Sequence, residues 1–565
     1  MPKKKSGKKR KKPDLHELEK RSHRSEVRSM FRNQSYKRVL GVSDGEIEFE
    51  GRKGDFDDCF LFENLIVITE YTVSQSDNIG KHLLTKKVLF DHILGNKVKF
   101  IEYLESKFPT FKDSRDSFYD TTQCQVVVVY CSKNSISMEH KAQVDVVYLD
   151  YPILKYFKSI AGSIRHSTRF EFFNFLGLNF RAVGRNAVTP IAENKVLDGT
   201  ILPESHSNFK KGYKVLSFYI DPKTLLEKSY VLRKHGWKDE AGLYQRMIVP
   251  SKIKALRNYL SKEGRVFINN IIVTLPHETK LLHEGKAIET SALTITKPVT
   301  IQIPDGYNII GLIDGQHRVY AYHEGGDNET IIAKLRVKQN LLVTGIVYPE
   351  NVKEEERIKF EAKLFLEINS NQAKAKSDLK QAINVILKPY SSESIARSIV
   401  HKLNRKGPLE NIFEEHFYDK GKIKTTSIVS YGLKPLVKLS GSDSLFKLWR
   451  KAGKAELTEE KNYHLLESYI DYCSNILSTY FGAIKAHLKD TPKWTMDSKS
   501  KNRVLSTTAL NGFIICLRML IENKKTKKSF EEYHASFKDL ENISFSKYKS
   551  SQYGTLATDL YNKFF

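Results

Sequence analysis

The sequence predicts a multidomain α+β protein: a mixed sheet with helices at the front, an α/β domain in the middle and a helical C-terminal region. Three observations predict it. Short apolar runs of strand length recur at 58–62, 65–72, 126–130, 271–275, 299–303 and 309–313, and helical spacing separates several of them. Beyond residue 375 the strand-like runs stop and the 3.6-residue period takes over. At 565 residues the chain is long enough for several cores.

Residues 1–13, MPKKKSGKKRKKP, form a basic tail that self-repulsion keeps disordered. Residues 1–40 hold fifteen Lys/Arg against four Asp/Glu, a large share of the net charge of +26. That balance points to a polyanionic partner, DNA first. No apolar run approaches the ~20 residues that span a bilayer. No signal-peptide pattern follows the basic start, so a cytoplasmic protein is expected. The five cysteines are scattered, without C-x-x-C, and read as small buried hydrophobes rather than zinc ligands.

Residues 14–135 read as helix, two paired strands (58–62 and 65–72, with a turn at Glu63-Asn64), a helix over 78–94 and a buried strand over 126–130. Asp58 opens one strand, and Glu70 interrupts the apolar run of its neighbour, where a charge needs a partner. Brought together, two such carboxylates hold Mg²⁺, which activates water against a phosphodiester. This arrangement resembles the PD-(D/E)xK nucleases. The resemblance implies Asp58 and Glu70 as catalytic metal ligands, with a Lys two residues after the Glu. Thr72 stands there instead, so Lys81 or Lys86 of the next helix is the substitute, with Lys86 carried forward as the catalytic lysine.

Residues 136–209 read as a mostly helical connector, broken at Tyr151-Pro152 and rich in Phe and Tyr for core packing. Residues 210–374 regain β character. Strands are expected at 215–220, 269–275, 299–303 and 309–313. Helices are expected after Asp221-Pro222 and over 250–262. The stretch 309–322 reads as strand, Asp314-Gly315 turn and helix start, a place where free N–H groups and the helix dipole favour an anion. Arg318 adds a forked donor, Asp314 can hold a metal, a water or a ribose hydroxyl, and His317 is suited to acid–base work.

Asp314-Gly315-Gln316-His317-Arg318 is the signature of the DGQHR domain. Tyr244-Gln245-Arg246 upstream and Phe365, Ile368 and Asn369 downstream are similar to its flanking segments. The family is similar to the DndB proteins of DNA phosphorothioation systems and, more distantly, to the ParB/sulfiredoxin superfamily. The resemblance implies a ParB/sulfiredoxin-like α/β domain holding ATP or another nucleotide through Gly315, Gln316, His317, Arg318, Arg246 and Asn369. Asp314 and His317 would serve any hydrolysis. Sulfiredoxin has a reactive Cys where this chain has Gln316, so sulfur-reductase chemistry is not implied. Asn369 and Asn371 equally suit helix capping, where Ser377-Asp378 competes.

Residues 375–565 are helical in pattern, and no G-x-x-x-x-G-K-[ST] occurs. The sequence therefore points to a DNA-binding protein of a bacterial DNA-modification or phage-defence system. It would carry a nucleotide-binding DGQHR domain, a front domain able to cut DNA with Mg²⁺, and contacts to other subunits of such a system. The alternatives are a non-enzymatic regulator of a phosphorothioation-type operon and an ATPase subunit of a modification complex.

Overall fold

A computed structural model describes residues 14–43, 45–188, 194–233, 237, 247–370 and 377–565. The chain is α+β and divides into two compact units. The first is built on residues 14–231 and Met247–Lys353, the second on Glu354–Phe565. The Glu354–Ser370 helix, which carries Asn369, groups with the second unit.

A five-stranded sheet organises the start of the first unit, in the order Lys37–Arg38, Asp58–Phe62, Leu65–Thr72, Gln125–Ser132 and Val147–Asp150. The first three strands are antiparallel and the last two join in parallel. Glu63, with φ +48°, makes the tight turn expected between the second and third strands. Both faces are buried, which explains the continuous apolar runs. On one face Phe60, Val67 and Val129 share a core with the Leu15–Asn33 and Tyr151–Ile164 helices. On the other, Ile66, Ile68 and Val128 share a core with the Ser76–Gly95 and Lys97–Lys107 helices.

Several elements differ from the sequence reading. Tyr151-Pro152 begins a helix rather than breaking one, because proline fits the first turn, where its missing N–H costs nothing. Val147–Asp150 and Lys195–Leu202 are strands inside the stretch read as mostly helical. A two-stranded hairpin, Glu46–Phe49 with Arg52–Asp55, was not anticipated.

The rest of the unit is a nine-stranded mixed sheet. Its order is Ser229–Tyr230, Ile310–Asp314, Ile271–Leu275, Leu341–Val347, Lys214–Ile220, Lys195–Leu202, Lys297–Ile303, Lys280–His283 and Lys286–Ala287. Lys297–Ile303 and Ile310–Asp314 follow each other in sequence but do not pair. Asp221 caps the Pro222–Lys228 helix by accepting from the Thr224 N–H at 2.8 Å. Gly264, in the left-handed conformation, ends the Pro250–Glu263 helix.

The second unit is helical throughout its described residues, apart from one isolated bridge between Phe413 and Ile423. Its core gathers around the Tyr463–Leu488 and Thr507–Glu522 helices. All five cysteines are buried and free, as small hydrophobes should be. Among the described residues no helix is long and apolar enough to cross a membrane.

Candidate functional site

Strand alternation decides which carboxylates meet. Asp58 is registered opposite Thr69, so it shares a face with Thr69 and Tyr71, while Glu70 projects from the opposite face. The sequence-derived pair of Asp58 with Glu70 is therefore not brought together on one side of the sheet. Asp58 is fully buried and its oxygens are occupied. Arg28 donates to both of them, Nε to Oδ2 at 2.6 Å and Nη2 to Oδ1 at 3.1 Å. Arg38 donates to Oδ1, and the Tyr71 hydroxyl to Oδ2 at 2.7 Å. The arrangement ties the first helix to the sheet and leaves no oxygen for a metal.

The acid that lines a cavity with Glu70 is Asp57, one position earlier. The Asp57 N–H donates to the Thr69 carbonyl at 3.0 Å, and its Oδ2 accepts from the Tyr71 N–H at 2.7 Å. Its Oδ1 accepts from Arg24. Burial and the nearby Glu70 charge raise the Asp57 pKa above the usual carboxylate value. Asp57 and Glu70 line one cavity of about 140 Å³, together with Lys20, His23, Arg24 and Thr72.

Glu70 is held from behind by the Ser76–Gly95 helix. Lys86 Nζ lies 3.0 Å from Oε1 and His82 Nε2 lies 3.3 Å from the same oxygen. These two residues are four apart and so share a helix face. His82 is anchored in turn, its Nδ1 2.7 Å from the Tyr130 hydroxyl. Lys86 also donates to the Asp55 carbonyl at 2.9 Å and to Asp55 Oδ1 at 2.7 Å. Burial alone would lower the Lys86 pKa, but Glu70 and Asp55 outweigh it and raise it, so the amine stays charged. Lys81, the other lysine considered, is exposed.

Glu70 Oε2 is buried and has no hydrogen-bond partner among the described residues. A buried carboxylate oxygen without a donor is costly. His23 adds a second such atom: its Nε2 donates to the Cys131 carbonyl at 3.1 Å, leaving Nδ1 buried and unpartnered among the described residues. Burial lowers the His23 pKa, so the ring is neutral with a lone pair at Nδ1. Among the described residues no three His, Cys, Asp or Glu side chains form a metal cage. Mg²⁺ does not require one, since it is commonly held by one or two carboxylates plus waters and substrate phosphate. Of the four carboxylate oxygens of Asp57 and Glu70, both Asp57 oxygens and Glu70 Oε1 have partners, and Glu70 Oε2 has none among the described residues.

The 314–318 segment stands at the end of the Ile310–Asp314 strand, between a parallel neighbour, Ser229–Tyr230, and an antiparallel one, Ile271–Leu275. Gly315 has φ +98°, and a Cβ there would come within 2.5 Å of Ile271 Cδ1, so glycine is required. The helix that follows is short, Gln316–Tyr320. Arg318 Nη2 donates to Asp314 Oδ2 at 2.9 Å, so the two expected ligand groups pair with each other. His317 Nε2 accepts from the Val249 N–H at 3.2 Å. Gln316 is buried. Arg246, with Tyr244 and Gln245, lies outside the described residues. Asn369 Nδ2 donates to the Phe365 carbonyl at 2.9 Å within its own helix.

Behind this turn sits a buried guanidinium clamp that sequence reasoning missed. Arg257 and Arg336 both bind Glu329, at 2.6 and 2.7 Å, and both donate to the His323 carbonyl, at 2.6 and 2.9 Å. Burial, with Arg257 adjacent, lowers the His323 pKa to about 4.

Comparison of the chain with protein-family models, with characterised proteins and with solved structures returns no match.

Proposed function

We propose that this protein is a Mg²⁺-dependent phosphodiesterase acting on DNA, with Asp57 and Glu70 as the metal-holding pair and Lys86 as the charged partner of Glu70. One observation supports the reading: an acid just before one strand and an acid on the neighbouring strand line one cavity, and Glu70 presents a buried oxygen without a hydrogen-bond partner among the described residues. A Mg²⁺ held by Asp57 and Glu70 would supply a Lewis acid for a phosphoryl oxygen and lower the pKa of a bound water.

The protein's own residues do the rest. Lys86 and His82 fix Oε1 of Glu70, so Oε2 is the oxygen left to face the ligand. Lys86 stays protonated and acts by charge rather than as a base. Lys20 and Arg24 put cations on the wall of the cavity, where a phosphodiester approaches. The strongly basic chain favours DNA as the polymer, in keeping with a role in DNA modification or defence.

The test is an incubation of full-length protein with supercoiled plasmid and linear duplex in Mg²⁺ and in Mn²⁺. Wild type should cut. Asp57→Asn, Glu70→Gln and Lys86→Ala should each lose roughly a hundredfold or more. Arg318→Ala should still cut. Wild-type protein that retards duplex DNA but cuts with neither metal would instead establish the non-enzymatic regulator reading. A nucleotide at residues 315–318 is the weaker second reading, since Arg318 is engaged with Asp314. ATP binding abolished by Arg318→Ala would support it.

A further inference from the structure

Glu70 stands at the end of a chain of hydrogen bonds that runs in one direction only. Glu70 and Thr72 are two apart on their strand and share a face, and Tyr130 is registered beside Glu70 on the neighbouring strand. His82 reaches the same face from the Ser76–Gly95 helix. The chain begins at a backbone amide: the Ser74 N–H donates to Thr72 Oγ1 at 3.2 Å. The Thr72 hydroxyl donates in turn to the Tyr130 oxygen. That oxygen lies 2.7 Å from His82 Nδ1, and His82 Nε2 lies 3.3 Å from Glu70 Oε1.

Donor chemistry fixes the direction. A backbone N–H can only give a hydrogen, so Thr72 accepts there and passes its own hydrogen to Tyr130. The Tyr130 O–H is then left to point at the ring. Tyr130 is fully buried, and burial with the Glu70 charge pushes its pKa up, so the hydroxyl keeps its hydrogen. His82 Nδ1 is therefore the acceptor, and the neutral ring carries its hydrogen on Nε2, aimed at Glu70. Lys86 gives a second hydrogen to the same oxygen at 3.0 Å. With both donors on Oε1, Oε2 is the oxygen without a partner among the described residues. Thr72 is suited to its place because a hydroxyl both accepts and gives, which an ammonium cannot.

We propose that Tyr130, oriented by Thr72, is a positioning residue for Glu70: it locks the His82 ring with Nε2–H on Oε1 and so holds Oε2 as the oxygen open to a metal. This rests on the Asp57/Glu70 metal reading and adds the residues that orient its ligand. Groups that orient a metal ligand from behind cost roughly ten- to a hundredfold in metal affinity when removed.

The test uses full-length protein at about pH 8, where an unperturbed imidazole is neutral. Mn²⁺ affinity is measured from the electron paramagnetic resonance signal of the free ion. Tyr130→Phe keeps the ring and removes the hydroxyl, and His82→Ala removes the link to Glu70. Each should weaken Mn²⁺ binding roughly tenfold. The double variant should bind no more weakly than His82→Ala alone, because Tyr130 acts through His82. Losses that add in the double variant, or unchanged Mn²⁺ binding in Tyr130→Phe, overturn the proposal. A second readout needs no metal: the ring-nitrogen NMR signals of His82, assigned by their absence in His82→Ala. Wild type should carry its hydrogen on Nε2 with a bare Nδ1, and Tyr130→Phe should show both tautomers. A hydrogen on Nδ1 in the wild type overturns the chain. Asp57→Asn keeps the two claims apart: if it binds Mn²⁺ as wild type does, the metal reading has failed and the positioning role falls with it.

Discussion

Asp57 and Asp58 are adjacent acids with opposite fates. Asp58 faces the core and is shared by Arg28, Arg38 and Tyr71. Asp57 faces the cavity with Glu70. Removing one partner of a buried ion pair strands the others, at a cost of roughly 3–5 kcal/mol. Asp58→Ala should therefore lower thermal stability sharply, while Asp57→Asn leaves the melting temperature nearly unchanged and removes metal binding. A stable Asp58→Ala protein with wild-type melting would refute the structural role. Gly315 makes a similar case in the second sheet. With φ +98° and Ile271 Cδ1 in the way of a Cβ, Gly315→Ala should cost about 1–3 kcal/mol, read from a denaturant midpoint.

At the scale of elements, the strands that frame the site were legible and its partner acid was not. The runs 58–62 and 65–72 match the observed strands, because continuous apolar residues mark a sheet buried on both faces. Glu70 was legible as a charge inside such a run, and Lys86 as a lysine on the following helix. Asp57 escaped because it precedes the strand, and a one-residue shift in alternation exchanges the two faces. The Arg24 contact escaped because it joins a helix to a strand 33 residues away, a distance that no local period reports. The strand at 195–202 was missed because its exposed positions, Val196 among them, blur the alternation.

The clamp behind the 314–318 turn is also an element-scale device, and it has a pH signature. His323 titrates at about 4 in the fold and near 6.5 when unfolded. Its contribution to stability is present above pH 6.5 and is lost as pH falls toward 4, because the unfolded chain takes the proton first. The loss is on the order of 3 kcal/mol. Urea midpoints recorded from pH 7 to pH 4.5 should fall more steeply for wild type than for His323→Gln, and parallel curves would contradict the burial of a neutral ring.

At the scale of the molecule, the chain carries a net charge of +26, concentrated toward its N-terminus, close in sequence to the helix that supplies Lys20 and Arg24. Duplex affinity should fall linearly on a log–log plot against salt, with a slope set by the number of phosphates contacted. Deleting residues 1–13 should flatten that slope, and a slope unchanged by the deletion would remove the tail from the interface. The α+β division and the helical second unit were legible from periodicity. The boundary between units was not, since the Glu354–Ser370 helix looks like a continuation of the preceding domain in sequence.

The most direct test is to map the metal by its own chemistry. Fe²⁺ placed in a Mg²⁺ site and treated with ascorbate and peroxide cuts the polypeptide beside its ligands. Cuts near residues 57 and 70, suppressed by excess Mg²⁺ and absent in Asp57→Asn, are the expected result. Cuts at residues 314–318 instead, or none that Mg²⁺ suppresses, would contradict a metal site shared by Asp57 and Glu70.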